Sequence, residues 1–397
     1  MRVLLIDVNC KNSSTGKIVY DLYTGINENG DEAAFCYGRG PLIQEKNIYK
    51  FGLDWETYLH ALLTRITGFT GCFSFFSTRR LIKFINDFKP DVVHIHELHA
   101  YFVNIKPLLS NLKENQIRTI MTLHCEFMYT GKCGHSVECE KWKTECNKCP
   151  HLHDYPSAWI FDHTNFMFKQ KKKLFRDFNN LTIVTPSQWL ADRVKESFLG
   201  DKRIEVIHNG IDTKNIFYPR DTEHLKQKHN LTEEKIVLAV APNLMSEQKG
   251  GKWVLELANL LRNENIKFIL IGVDDLSRET NDNVILLGRI SNQDELAEYY
   301  SLADVFVICS EKETFSLTCS EAICCGSQIV GFECGAPETI FENPYARFVE
   351  YGDLSALTEM VTNSLKDPLP KKDVAAYGSS KYSIKTMYSK YLELYKS

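Results

Sequence analysis

At 397 residues, with 44% hydrophobic and 25% charged side chains, the chain is long enough for two ordinary domains and too apolar to be disordered. Its 47 basic and 51 acidic residues leave a net charge of -4, which offers no basic field to a phosphate backbone, so no nucleic-acid partner is expected. No apolar run approaches the roughly 18 residues of a spanning helix, and Asp7 breaks the stretch MRVLLID too early for a secretory signal, so a cytoplasmic location is expected.

The first predicted strand, 2–8, runs into the polar loop NCKNSSTGK. A helix follows over 18–27, with Gly30 as its stop signal. A second strand covers 33–40, and a helix over 79–88 ends before Pro90. The buried strand DVVHIH (91–96), a helix over 105–114 and the strand 117–124 come next. After an unusual segment, 125–157, a long basic helix runs to about 178. Then come the strand LTIVTP (181–186), a helix capped by Ser187 and the strand 204–210. The alternation then restarts. Strands are expected at 235–242, 267–273, 283–289, 304–310 and 327–332, with helices from KGGKWVLELANLL, QDELAEYYSLA and SLTCSEAICC between them. Such alternation is the signature of parallel sheets covered on both faces. We read an α/β chain of two doubly wound, Rossmann-like domains facing a cleft. The first spans 1–208, with a Cys-rich insertion at about 125–157, and the second 209–376. A C-terminal helix spans 377–397. The turn chemistry of HNGIDTKNIFYP marks the boundary.

Loops at the carboxyl ends of such strands hold ligands. In ETFSLTCSE, Glu313 and Glu321 flank a helix start that Ser316 or Thr314 can cap, and the amides near Ser316 and Leu317 form an anion site. Taken alone, the segment is equally a capped helix with two surface glutamates. In PNLMSEQKGG, Lys249 stands at a helix N-terminus, the place of a phosphate clamp or of a solvated turn.

Together these residues carry a resemblance. HNGID (208–212), Lys249-Gly250, LADVFV (302–307), the spaced glutamates 313 and 321 followed by EAICCG, and GFECGAPETI (331–340) resemble the retaining glycosyltransferases of family 4, with the two-domain GT-B fold. PDVVHIH, TLH at 122–124 and TPSQWL at 185–190 extend the match into the first domain. The resemblance implies a nucleotide-sugar donor and no metal for catalysis. By it, Lys249 binds the diphosphate, Glu321 the ribose and Glu313 the transferred sugar. His124 sits at the reacting centre. The loop near Thr15 and Gly16 closes over the phosphates, and Arg289 and Ile290 hold the base. Asn243 stands where the family often has arginine, Ser316 where it often has glycine, and Thr15-Gly16 where a Gly-Gly pair is usual.

Thirteen cysteines are many for a reducing compartment, which disfavours a disulfide framework. Without a secretory signal, the sequons at Asn12, Asn180 and Asn230 carry no weight. Cys133, Cys139, Cys146 and Cys149 are spaced C-x5-C-x6-C-x2-C. This suits a structural Zn²⁺ site that would staple a loop poor in core residues; reduced thiols or redox bridging are the alternatives. His135, His151 or His153 could replace one ligand. The surrounding sequence resembles an exopolysaccharide, colanic-acid and capsule subset of the family. That subset commonly has Asp after the histidine, where this chain has Cys125. A glycan or lipid-linked saccharide acceptor is therefore expected.

KQKKKLFR (169–176) reads as a solvated cationic face or a contact for anionic lipid, and GFTGCFSFF (68–76) as core, with an interfacial stretch as the alternative. His94, His96 and His99 read as core or strand-end cleft histidines, with metal binding as the alternative. The aromatic spacing of the last helix reads as packing, back on the first domain if the resemblance holds. An epimerase of the same fold and a non-catalytic scaffold are the rival functions.

Overall fold

The computed structural model describes residues 1–397 as two compact units: Met1–Ile207 with Lys390–Ser397, and His208–Ser389. Unit 1 contains, in order, β1 (Arg2–Asn9), α1 (Ser14–Glu28), β2 (Glu32–Arg39), β3 (Ile48–Lys50), α2 (Asp54–Thr67), α3 (Phe75–Phe88), β4 (Val92–Ile95), α4 (Ile105–Glu114), β5 (Arg118–Thr122), α5 (Thr164–Phe175), β6 (Leu181–Thr185), α6 (Gln188–Glu196) and β7 (Arg203–Val206). Unit 2 contains α7 (Glu223–Lys228), β8 (Lys235–Val240), α8 (Gly251–Leu260), β9 (Ile266–Ile271), β10 (Val284–Leu287), α9 (Gln293–Leu302), β11 (Val305–Ile308), α10 (Leu317–Cys324), β12 (Gln328–Phe332), α11 (Pro337–Ile340), β13 (Ala346–Val349), α12 (Leu354–Lys366) and α13 (Lys371–Tyr382). The last helix, α14 (Ile384–Lys396), begins in unit 2 and ends in unit 1.

Each unit is built on one wholly parallel sheet. The strand orders are β3-β2-β1-β4-β5-β6-β7 and β10-β9-β8-β11-β12-β13. Apolar runs such as Val3–Ile6 and Val305–Ile308 are buried, because helices cover both sheet faces. In each sheet the order reverses beside the first strand, between β1 and β4 and between β8 and β11. At such a reversal neighbouring loops diverge and leave a crevice over the strand ends. The residues of interest lie on those loops.

Four expectations need correction. The C-terminal helix expected over 377–397 is two helices, α13 and α14, parted by an extended Ser383. Helix α1 starts at Ser14, not at 18, because the Ser13 hydroxyl caps it by accepting from the Gly16 amide. Thr15 and Gly16 therefore belong to a first helical turn. A Cβ on Gly16 would come 2.7 Å from the Asn9 carbonyl oxygen, so glycine there lets α1 lie close to β1. GFTGCFSFF is not all core: Phe75 and Phe76 are exposed at the start of α3. The cationic helix is α5, and its Lys171 is buried while Lys172 and Lys173 are exposed, so it is not a uniform solvated face.

Candidate active site

In unit 2 the loops after β8 and β11 are joined by the Glu311 amide, which donates to the Gln248 carbonyl at 2.9 Å. Gly250 has a φ of 68°, and a Cβ there would come 2.0 Å from the Cys309 carbonyl oxygen. Only glycine permits this approach. It brings the Lys249 Nζ to 2.6 Å from Glu313 Oε1. Glu313 is itself held by backbone: its amide donates to Cys334 and its carbonyl accepts from Ala336. Glu338 in turn accepts from the Cys334 and Gly335 amides, which fixes the GFECGAPETI turn.

Ser316 caps α10, with a φ of 75° and its hydroxyl accepting from the Cys319 amide. The amides of Leu317 and Thr318 have no acceptor within the helix, so they form an electropositive end. One turn on, Glu321 Oε2 accepts from the buried Tyr300 hydroxyl at 2.8 Å. Tyr300 thereby fixes one carboxylate oxygen of Glu321. Asn243 is exposed on the turn before Lys249, and its carbonyl accepts from Ser246. Arg289 is exposed and Ile290 half-buried after β10, a loop tied to the β9 end through Gly272. Thus the structure brings Lys249, Glu313 and the α10 residues together. Arg289 and Ile290 stand on a separate loop of the same sheet edge.

In unit 1 the ends of β1, β4 and β5 assemble a second cluster. Asp7 is buried and accepts from the Glu97 amide at 3.2 Å and the Thr15 hydroxyl at 3.3 Å. Burial, then the Glu97 charge, raises its pKa to about 7. His124 Nε2 lies 3.0 Å from His96 Nδ1, and burial lowers the His124 pKa, so this predicted residue is a neutral imidazole. Glu97 Oε2 lies 2.7 Å from His99 Nε2 and 3.5 Å from the Cys125 sulfur. Burial opposes charge on both Glu97 and His99, but each holds its partner's charge, lowering the Glu97 pKa and raising that of His99. Donor atoms of Glu97, His99 and Cys125 all lie within 4.8 Å of one another. His94 is a core histidine, bonded to Tyr395 and Thr122. Sequence reasoning named His124 and missed Asp7 and Glu97. The signal for both was an acid at the carboxyl end of a buried strand.

Two family models match these units in register with their folds. "Glycosyltransferase Family 4" matches residues 15–215, and "Glycosyl transferases group 1" matches residues 221–381. The chain is a family 4 glycosyltransferase. Among relatives of this glycosyltransferase is a protein described as a putative colanic acid biosynthesis glycosyl transferase, from Escherichia coli. It is 25% identical over 318 residues, covering 78% of this chain and 76% of that one. An N-acetyl-alpha-D-glucosaminyl L-malate synthase from Bacillus anthracis is 27% identical over 197 residues, 47% of this chain and 50% of that one. A Rickettsia africae glycosyltransferase structure superposes with a TM-score of 0.69 at 15% identity, covering 100% of this chain and 97% of that one. An Anabaena protein in complex with UDP-glucose gives a TM-score of 0.66 at 14% identity, covering 99% of both chains. Both structures share the GT-B fold. No helix of the glycosyltransferase is long and apolar enough to cross a membrane.

Its Cys-rich segment packs on the unit 1 core through Trp142, which is 1% exposed. Cys133, Cys139, Cys146 and Cys149 line one cavity of about 20 Å³. The thiols of Cys133 and Cys149 are hydrogen-bonded, and Cys146 accepts from the Gly131 amide. His151 instead pairs with Asp154. Lys132 and Lys171 are buried nearby with backbone carbonyls as their acceptors: Asp154 and Pro156 for one, Phe127 and Thr130 for the other.

Proposed function

We propose that this glycosyltransferase is a retaining, metal-independent enzyme. It would move a sugar from a nucleotide-diphosphate sugar to a glycan or lipid-linked saccharide in surface polysaccharide synthesis. The observation that carries the reading is the Lys249–Glu313 contact beside the N-terminus of α10. When the glycosidic bond to the diphosphate breaks, negative charge grows on the leaving phosphate. A preorganised ammonium and free helix amides, of Leu317 and Thr318, meet that charge. Glu321, oriented by the Tyr300 hydroxyl, takes the ribose hydroxyls as an acceptor. Glu313 takes sugar hydroxyls, Asn243 and Ser316 shape the phosphate turn, and Arg289 and Ile290 take the base. His124, neutral beside His96, offers a hydrogen bond to a sugar hydroxyl at the unit 1 cluster. Thr15 and Gly16 already have structural roles on Asp7 and β1. The UDP-glucose complex of a protein with this fold and the described role of the E. coli relative support the donor and pathway classes.

Thermal-shift titration with UDP-, GDP- and ADP-sugars tests the donor assignment. One nucleotide class should stabilise the wild type, by about 2.7 kcal/mol at 100 times its Kd. Lys249→Ala and Glu321→Gln should lose at least about tenfold in donor affinity and abolish most transfer. The glutamine keeps an acceptor for Tyr300 and so protects the fold. Full donor binding and transfer in both variants would refute the assignment.

We also propose that the four cysteines hold a structural Zn²⁺. A tetrathiolate zinc carries a net double negative charge. Lys132 and Lys171 are buried with hydrogen bonds to neutral carbonyls, and burial lowers both pKa values, that of Lys171 to about 7, so their charged forms need a counter-charge. The thiolates would be that counter-charge. Metal analysis of protein purified without chelator should find one zinc per chain, lost in Cys146→Ser with Cys149→Ser. Zinc-free protein from such a preparation would overturn it.

A further inference from the structure

Helix α2 is built inside out. Its buried face carries Glu56, Thr57, His60 and Thr64. Its outward stripe, at spacings i, i+3, i+4 and i+7, is Trp55, Tyr58, Leu59 and Leu62, exposed by 56%, 72%, 44% and 46%. The polar face is locked in place. The Glu56 carboxylate accepts from the Phe76 and Ser77 amides at 2.8 Å and from the Ser77 hydroxyl at 2.6 Å, capping α3. His60 Nδ1 is 2.8 Å from the Ser74 hydroxyl, and the Thr64 hydroxyl donates to the Phe69 carbonyl. Rolling the helix over would strip these bonds from buried groups, so the apolar stripe stays outside.

The surface continues past both ends of the helix. At the start, the Trp55 ring lies 6.0 Å from that of Phe76, and Phe75 is exposed beside it. At the end, the Trp159 amide donates to the Arg65 carbonyl, which seats the exposed run Trp159, Ile160 and Phe161. Exposed Phe166 packs edge-on against Phe69. Ten of the sixteen large apolar side chains most exposed in the chain lie on this surface, so it is a patch and not scatter.

Cations rim the patch. Exposed Arg79 and Lys83 follow Phe75 and Phe76 along α3, and exposed Lys172 and Lys173 follow Phe166 along α5. Arg65 lies over the Trp159 ring, 5.7 Å from its centre. Of the acids nearby, Asp54 pairs with Lys50 and Glu145 with Lys169, Asp162 accepts from the Cys149 amide and the Thr164 hydroxyl, and exposed Asp87 follows Lys83 by one turn of α3. A patch of aromatic and aliphatic side chains with a cationic rim is the chemistry of a bilayer interface with anionic headgroups. A second copy fits less well, because a two-fold contact would set these like-charged rims against one another.

We propose that this face docks unit 1 on an anionic lipid surface. The patch also leads to the unit 1 cluster. The His60 ring is 5.7 Å from that of Tyr101, Tyr101 is 6.0 Å from Tyr155, and Tyr155 Oη is 3.4 Å from His99 Nδ1. These ring contacts run through the buried His60 and Tyr101, so they join the patch to the cluster by packing and the docking does not rest on them.

Co-sedimentation of the full chain with phosphatidylcholine vesicles, with and without about 30% phosphatidylglycerol, tests the docking. The wild type should pellet with the anionic vesicles and be released by salt. Tyr58→Ser with Leu62→Ser should bind at least about tenfold more weakly, as should Arg79→Glu with Lys172→Glu. All four positions are exposed, so melting temperature and donor-induced shift should stay at wild-type values. Lys249→Ala should still pellet even where it has lost the donor. No binding by a wild type that retains its donor shift, or wild-type binding by both double variants, overturns the proposal. So does a dimer in sedimentation velocity that Tyr58→Ser with Leu62→Ser dissociates.

Discussion

Asp7 shows at one residue what the candidate site costs the fold. Its carboxyl is buried beside Glu97, and its pKa is raised from 3.8 to about 7. The folded protein therefore holds a proton that the unfolded chain has released above pH 4. Stability from this group is fully present below about pH 4 and is lost as pH rises to about 7, by up to roughly 4 kcal/mol. Asp7→Asn should remove that slope. Its melting temperature should exceed the wild type's at pH 8 by more than it does at pH 5, and equal gaps at both would show that Asp7 does not carry the proton. Residues of this kind were hard to read from sequence. Lys249, Glu313 and Glu321 sit in spaced motifs, so their roles were nameable before their contacts. Asp7 and Glu97 acquire meaning from strands that are distant in the chain and adjacent in the sheet.

At the scale of elements, strands were legible because buried parallel strands read as short apolar runs, and nearly every one was found within a few residues. Two kinds of helix were not. The start of α1 looked like loop because Ser13, Ser14 and Thr15 are turn formers until one of them becomes a cap. Helix α2, like α7, α11 and α12, was not assigned. Its apolar spacing is present in DWETYLHALLTRIT, but periodicity does not say which face meets the core. The Cys-rich segment adds a further case. Its thiol spacing was legible, whereas the two buried lysines became visible only with the fold. Replacing Cys146 and Cys149 should lower the melting temperature through this segment alone, since a metal staple orders a loop with little core of its own.

For the whole molecule, the alternation of strands and helices implied two doubly wound units, and both sheets reverse their order beside the first strand. Both clusters sit at those reversals, so topology and chemistry point to the same sheet edge in each unit. That Lys249 rests on Glu313 in the structure without donor has a bearing on turnover. On the proposed donor reading, an incoming diphosphate would have to take the lysine from the carboxylate, and a departing one would give it back. Re-forming that contact would offset part of the nucleotide's hold, so the spent nucleoside diphosphate would leave more readily than its charge alone would allow. Glu313→Gln should bind nucleoside diphosphate more tightly and release it more slowly, which stopped-flow displacement would measure. Unchanged release would mean that the lysine's resting partner has no influence on product escape. Slower release would mean that the acid best placed to touch the sugar also clears the site for the next one.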